Sequence, residues 1–247
     1  MNPSFQAISK AVIGFGLLTF LASFLFAQSF GGGNLGNGVA TKENLDLPFD
    51  ARGTSQEEEE DAPEVVVFYN QQLEGNGIFY VLDASTSMET QGELAIAKRE
   101  ILKNVSEFSS EEQFGIIFFN ADVRKFPAAG TPAQANPAMK AAATAFVESA
   151  TGAQGSCCQQ GMIAALQMAN LSTALKKVIV YVGDGGGYCG PGTGGSLFQD
   201  QTVLAVTQQN YQRIQINCIG VLSPPPANEE FMQHLAHANQ GTYSRIR

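Results

Sequence analysis

From Val65 onward, short apolar runs alternate with stretches in which apolar residues return every three or four positions. VVVFYN (65–70), GIFYVLD (77–83), QFGIIFFN (113–120), KKVIVYVGD (176–184) and RIQINCIGV (213–221) read as strands. Between them, 92–108 sets Leu94, Ala97, Ile101, Val105 and Phe108 on one helical stripe. Further helices are expected over 136–150, with Pro137 in the first turn, over 159–171 and around 200–209. The last is expected over 227–241, with Gly241 as its C′ glycine. DVRKFP (122–127) reads as the hairpin partner of 113–120, QQLEGN (71–76) as a turn, and TYSRIR (242–247) as a closing strand. Helices alternating with nearly continuous apolar strands predict an α/β fold: a doubly wound, mostly parallel central sheet with helices on both faces. Ligands of such sheets sit beyond the carboxyl ends of the strands, at the topological switch point. Asp83 and Asp184 each close an apolar strand.

Upstream of Val65 the pattern is different. AVIGFGLLTFLASFLFA (11–27) is uncharged and follows Lys10. As a helix it would reach about 25 Å, slightly short of a bilayer core. Residues 1–29 are expected to be a signal anchor or a cleaved signal peptide, AQS (27–29) offering small residues before a cut. In either case Lys10 favours a cytoplasmic N-terminus and an exported remainder, tethered as a single-pass membrane protein or secreted if the signal is cleaved. Residues 30–64, with GGGNLGNG and SQEEEEDAPE, have the composition of a flexible tether. The glycine cluster lacks the Gly-Lys-Ser/Thr and the preceding strand of a phosphate loop. The folded domain is therefore expected over 65–247.

Charge narrows the function. Residues 1–27 carry +1 and residues 28–64 carry −7, which leaves −3 of the total −9 for the domain. An acidic domain without a Lys/Arg stripe is a poor partner for nucleic acid.

Residues 79–88, FYVLDASTSM, place the oxygens of Asp83, Ser85 and Ser87 at alternate positions after a buried strand. Such residues also cap helices for purely local reasons. Asp184, from a second strand end, turns the pattern into a candidate metal site of oxygen donors, the type preferred by Mg²⁺ or Mn²⁺. Nitrogen and thiolate donors, which zinc favours, are absent from the set.

At these residues the chain resembles the von Willebrand factor type A domain. VLDASTSM is similar to the D-x-S-x-S element of that family's metal-ion-dependent adhesion site, VIVYVGDGG to its strand and T-D-G element, and LAHANQGTY (235–243) to its closing helix and strand. The resemblance spans 65–247. It implies a cation held by Asp83, Ser85, Ser87, a hydroxyl from a second loop, and Asp184, with a protein partner's carboxylate completing the shell. In the second loop, AQGSCCQQGM (153–162), the threonine role falls to Ser156, with Thr151 as the fallback. Position 183 is Gly where the family commonly has Thr.

Cys157 and Cys158 follow Ser156, and Cys189 lies five residues after Asp184. With both loops converging on an exported face, a disulfide from Cys157 or Cys158 to Cys189 is expected; a vicinal redox or metal pair is the alternative. Cys218 reads as a core residue and His234 and His237 as a surface helix face. No H-E-x-x-H, no G-x-S-x-G elbow and no second acid at position 85 is present, so no enzyme is expected; Glu89 is the only acid beside the first loop. The resulting expectation is metal-dependent protein binding, with a scaffold or assembly role and a vestigial metal site as the alternative, favoured by Ser156 and Gly183.

Overall fold

A computed structural model describes residues 65–191, 193–221 and 226–246. The expected leader (1–29) and tether (30–64) lie outside the described residues. In chain order the elements are β1 (Val65–Phe68), β2 (Gln71–Glu74), β3 (Gly77–Asp83), α1 (Thr86–Thr90), α2 (Glu93–Glu107), β4 (Gln113–Phe119), β5 (Val123–Phe126) and β6 (Ala133–Gln134). They continue with α3 (Pro137–Glu148), α4 (Cys158–Asn170), β7 (Lys177–Gly183), α5 (Gly195–Gln209), β8 (Gln215–Gly220), α6 (Pro226–Ala238) and β9 (Tyr243–Arg245).

The main sheet has the order β5-β4-β3-β7-β8-β9. β4, β3, β7, β8 and β9 run parallel, while β5 and β6 pair antiparallel with β4. Every residue of β3 is buried, because both faces of the sheet are covered. Strand alternation sends Ile78, Tyr80 and Leu82 into one core with α2 residues Leu94, Ala97 and Ile101. Phe79 and Val81 enter the other, with Met162, Ala165 and Leu166 of α4 and Met232 and Leu235 of α6. Asn104 of α2 accepts from Tyr80 Oη at 3.0 Å and donates to Val67 O at 2.8 Å. A buried polar pair thereby ties β1 and β3 to the same helix.

Besides α1 and β6, which the sequence reading does not contain, the structure departs from it in three places. Residues 71–74 form a strand: Tyr69 and Asn70, at φ 50° and 60°, make the two-residue turn of a β1–β2 hairpin. Two positive φ angles at non-glycine residues are hard to foresee from sequence. α5 starts at Gly195, earlier than the periodicity suggested. Third, α6 stops at Ala238, and the left-handed residue after it is Gln240 (φ 59°). The Gly241 N–H donates to Ala236 O at 2.9 Å and that of Gln240 to His237 O at 3.3 Å, a Schellman ending with glycine one position past C′. Gly241 is needed there for space, since a Cβ would stand 1.8 Å from Ile216 O.

Candidate metal centre

β3 and β7 are neighbours, but the chain leaves β3 for β4 on one side and β7 for β8 on the other. The crevice above their carboxyl ends is the switch point of the sheet. Asp83 ends β3 and is fully buried. Its Oδ1 accepts from the Ser85 N–H at 2.7 Å and its Oδ2 from Ser156 Oγ at 2.8 Å. Burial, and then the charge of Asp184, push the Asp83 carboxyl up to about 7 against the opposing hydrogen bonds from Ser85 and Ser156.

Asp184 follows β7 and is half-buried. Its Oδ1 accepts from Gly186 N–H at 2.9 Å and its Oδ2 from Ser87 Oγ at 2.8 Å. Ser87 Oγ stands 3.0 Å from Ser85 Oγ. Ser85 occupies the N-cap position of α1, yet its hydroxyl makes no capping bond to the helix. The side chain faces the other oxygens instead, which weighs against a purely local role for the triplet.

Above the sheet the three loops continue to pair. Ser85 bridges Ala153 in parallel and Ser156 bridges Tyr188 antiparallel. Ser156 N–H donates to Tyr188 O at 2.7 Å and Tyr188 N–H to Ser156 O at 3.1 Å. Cys157 and Cys189, the next residues on each segment, form a disulfide with their Cα atoms 4.6 Å apart. Cys158 and Cys218 are free and buried.

The donors open onto a cavity of about 670 Å³ lined by Ser85, Ser87, Ser156 and Asp184 together with Gln154, Tyr188, Ser196, Gln199 and Asn228, among others. Among the described residues no Lys, Arg or His lines it. Asp83 is fully buried and outside the lining, hydrogen-bonded to two residues of it, Ser85 and Ser156. Asp83, Ser85, Ser87, Ser156 and Asp184 thus come together. Thr151 is exposed and outside the cavity lining, as is Glu89, whose side chain packs over Gly152. His234 and His237 are exposed on α6, and Cys218 is fully buried in β8.

One residue of the site escaped the sequence reading. Tyr181 lies two before Gly183 on β7 and so points to the same face of the sheet. It is completely buried, and its hydroxyl lacks a hydrogen-bond partner of ordinary geometry. Burial first, then the nearby Cys158, Asp83 and Asp184, push the phenol well above its ordinary range. A Cβ on Gly183 would come within 2.9 Å of Tyr181 Oη and 3.0 Å of Asp83 Cβ. Glycine at 183 is therefore matched to the tyrosine, which occupies the space that a larger residue at 183 would need. The available signal was the pair Tyr181/Gly183 at alternate positions in VIVYVGD.

The donor chemistry fits a hard divalent cation. Among the described residues no group of three or more His, Cys, Asp or Glu is placed to hold a metal, so a cation here depends on the serine hydroxyls. Two carboxylates and three hydroxyls, with one acid buried beside the other, suit Mg²⁺ or Mn²⁺ and leave room for water or an added ligand.

No family model matches the chain, and no curated protein matches it. Solved structures do. A von Willebrand factor type A protein from Catenulispora acidiphila superposes with a TM-score of 0.61 at 17 % identity, over 71 % of this chain and 40 % of the other. An aerotolerance-related membrane protein from Bacteroides fragilis gives 0.51 at 22 %, over 70 % and 92 %. The pilus adhesin SpaC from Lactobacillus rhamnosus GG gives 0.55 at 14 %, over 72 % and 28 %. The chain thus spans less than half of the first and the third. The described residues have the fold of a von Willebrand factor type A domain, a mostly parallel sheet flanked by helices.

Proposed function

We propose that this domain binds a protein partner through a divalent cation, Mg²⁺ or Mn²⁺, held by Asp83, Ser85, Ser87, Ser156 and Asp184. The observation that carries the reading is the convergence of Ser85, Ser87, Ser156 and Asp184, from three separate loops, on one open cavity, with Asp83 hydrogen-bonded to Ser156 and Ser85 beneath them. The residues divide the work. Asp83, fixed by the Ser85 N–H and Ser156 hydroxyl, supplies buried negative charge. Asp184, fixed by Gly186 and Ser87, supplies a second carboxylate at the cavity edge. The serine hydroxyls, whose protons rotate freely, offer neutral lone pairs. A bound cation supplies a positive position to which a partner's carboxylate attaches. Among the described residues no Lys, Arg or His lines the cavity, so the attraction of an acidic ligand to the carboxylates of Asp83 and Asp184 depends on a bound cation, and its binding is expected to weaken sharply without metal.

An adhesion or assembly role outside the cytoplasm is in keeping with the relatives in fold, which include a pilus adhesin and a membrane protein. It also agrees with the apolar stretch at 11–27 as a membrane tether. None of the described helices is long and apolar enough to cross a membrane.

A second reading has an observation of its own. Ser156 stands where the resembled family has threonine, and Gly183, packed against Tyr181 and Asp83, where it commonly has threonine too, so two positions of the set depart from the metal-holding pattern. On this reading the domain is an assembly scaffold with a vestigial site. Partner capture from native membranes separates the two. The adhesion reading expects capture to vanish with chelator and in Asp83→Ala; capture that survives both supports the scaffold.

A further inference from the structure

Of the five donors, Ser156 is the one whose position is least determined by the sheet. Asp83 belongs to β3, Ser85 and Ser87 follow it directly, and Asp184 is the next residue after β7. Ser156 sits instead in the connection between α3 and α4. Its side chain is unbranched, so nothing intrinsic restricts its χ1 as a β-branched residue would be restricted. The hydroxyl must nevertheless meet Asp83 Oδ2 at 2.8 Å and lie 2.5 Å from Gly186 O. Its placement has to come from the backbone.

That backbone is paired with Tyr188, but Tyr188 lies in a loop rich in glycine. Gly185, Gly190, Gly194 and Gly195 all have positive φ. The Ser156 side is tied to the sheet, Ala153 N–H donating to Ala84 O at 3.0 Å and Ala121 N–H to Gln154 O at 3.1 Å, whereas the two hydrogen bonds to Tyr188 leave the glycine-rich side without a covalent anchor. The link one residue further along supplies it. Cys157 is buried at the N-cap of α4, and its N–H donates to Asn120 O at 2.8 Å. Through the disulfide this anchored residue holds Cys189, and with it the Gly186–Tyr188 segment, whose Gly186 carbonyl accepts from the Ser156 hydroxyl.

We propose that the Cys157–Cys189 bridge is a positioning element of the cation site, fixing the Ser156 hydroxyl and coupling cation affinity to the redox state of the bridge. The inference rests on the cation-binding reading above. Cys189 is half-buried, so a small dithiol can reach the bridge from its side. In that step the reductant's thiols become a disulfide while the two bridge sulfurs leave as thiols, so electrons and protons balance. Cys158, although adjacent, is free and buried, and does not compete for the bridge.

The test is calorimetric titration of Mg²⁺ and Mn²⁺ into the full chain, oxidised and after dithiol treatment. The same titration is made on the Cys157→Ser/Cys189→Ser variant, with and without Ser156→Thr. Loss of the bridge is expected to weaken the cation about tenfold, the scale of losses seen when groups that orient metal ligands are removed. Ser156→Thr, which restricts χ1, is expected to recover most of that loss in the bridge-free variant and to change little when the bridge is intact. A merely structural bridge would show no such rescue. Should bridge loss unfold the domain, reciprocity gives a second measurement on the wild type. Saturating Mg²⁺ should then shift the oxidised-to-reduced ratio in a dithiol buffer by a similar factor. Equal affinity with and without the bridge, or a ratio unmoved by Mg²⁺, overturns this inference alone. No cation binding by the oxidised wild type overturns the reading beneath it, and the inference with it.

Discussion

The Ser156 hydroxyl donates to Asp83 Oδ2 across 2.8 Å, joining residues 73 positions apart in the chain. Asp83 is withdrawn from water and has Asp184 as an electrostatic neighbour, so its carboxyl favours either a proton or a cation at hand.

Without metal, this has a consequence for stability. The folded Asp83 is pushed up to about 7 from 3.8 by burial and by Asp184, so the folded state holds a proton that the unfolded state has released. The stabilising contribution is complete below the unfolded value and is lost as pH rises through the folded one. Denaturant unfolding in chelator should show the protein less stable at pH 8 than at pH 5, by on the order of 2–3 kcal/mol. Asp83→Asn should flatten that difference. A wild type equally stable at both values, with the variant indistinguishable from it, would contradict the assignment.

Tyr181 and Gly183 should behave as a matched pair. Tyr181→Phe removes a buried hydroxyl without a partner of ordinary geometry and should stabilise the domain by about 1 kcal/mol. Gly183→Ala drives a Cβ against Tyr181 Oη and Asp83 and should destabilise it by about 1–3 kcal/mol. In the double variant part of the loss should return, because one of the two collisions is gone. Thermal unfolding of the three variants measures the coupling; strict additivity would argue against it.

The end of α6 offers a test away from the site. Gln240→Gly relieves a left-handed non-glycine residue and should stabilise by about 1 kcal/mol. Gly241→Ala places a Cβ on the Ile216 carbonyl and should cost about 3 kcal/mol. Reversed signs in equilibrium unfolding would show that the glycine serves a conformational role at C′ after all.

Thiol accessibility reports on the cysteine arrangement. Cys158 and Cys218 are buried, and burial pushes both thiols upward, Cys158 to about 12. A thiol reagent should find neither in the native protein and both on unfolding, while the Cys157–Cys189 peptide survives non-reducing digestion. Fast native labelling of Cys158 would contradict its burial, and a Cys158–Cys189 peptide in the digest would mean that the bridge has chosen the other partner.

The sheet was readable in the sequence because its strands are buried on both faces, which makes them continuous apolar runs, and because α2 keeps a strict apolar stripe. The donors Asp83 and Asp184 were visible as acids closing such runs. β2 was not, since QQLE carries little apolar signal and its turn relies on positive φ at Tyr69 and Asn70. The ending of α6 was misplaced by one residue because a glycine selected for space looks the same in sequence as one selected for φ. The fit between Tyr181 and Gly183 is a contact between side-chain volume and backbone, and no periodicity encodes it. Nor could spacing choose between Cys157 and Cys158, as adjacent residues differ only in the direction the loop turns them.

Calorimetric titration of Mg²⁺ into the chelator-treated full chain, beside Asp83→Ala, tests the central claim most directly. The account predicts saturable one-to-one binding by the wild type and none by the variant. Identical dilution heats for both, up to millimolar cation, would contradict it.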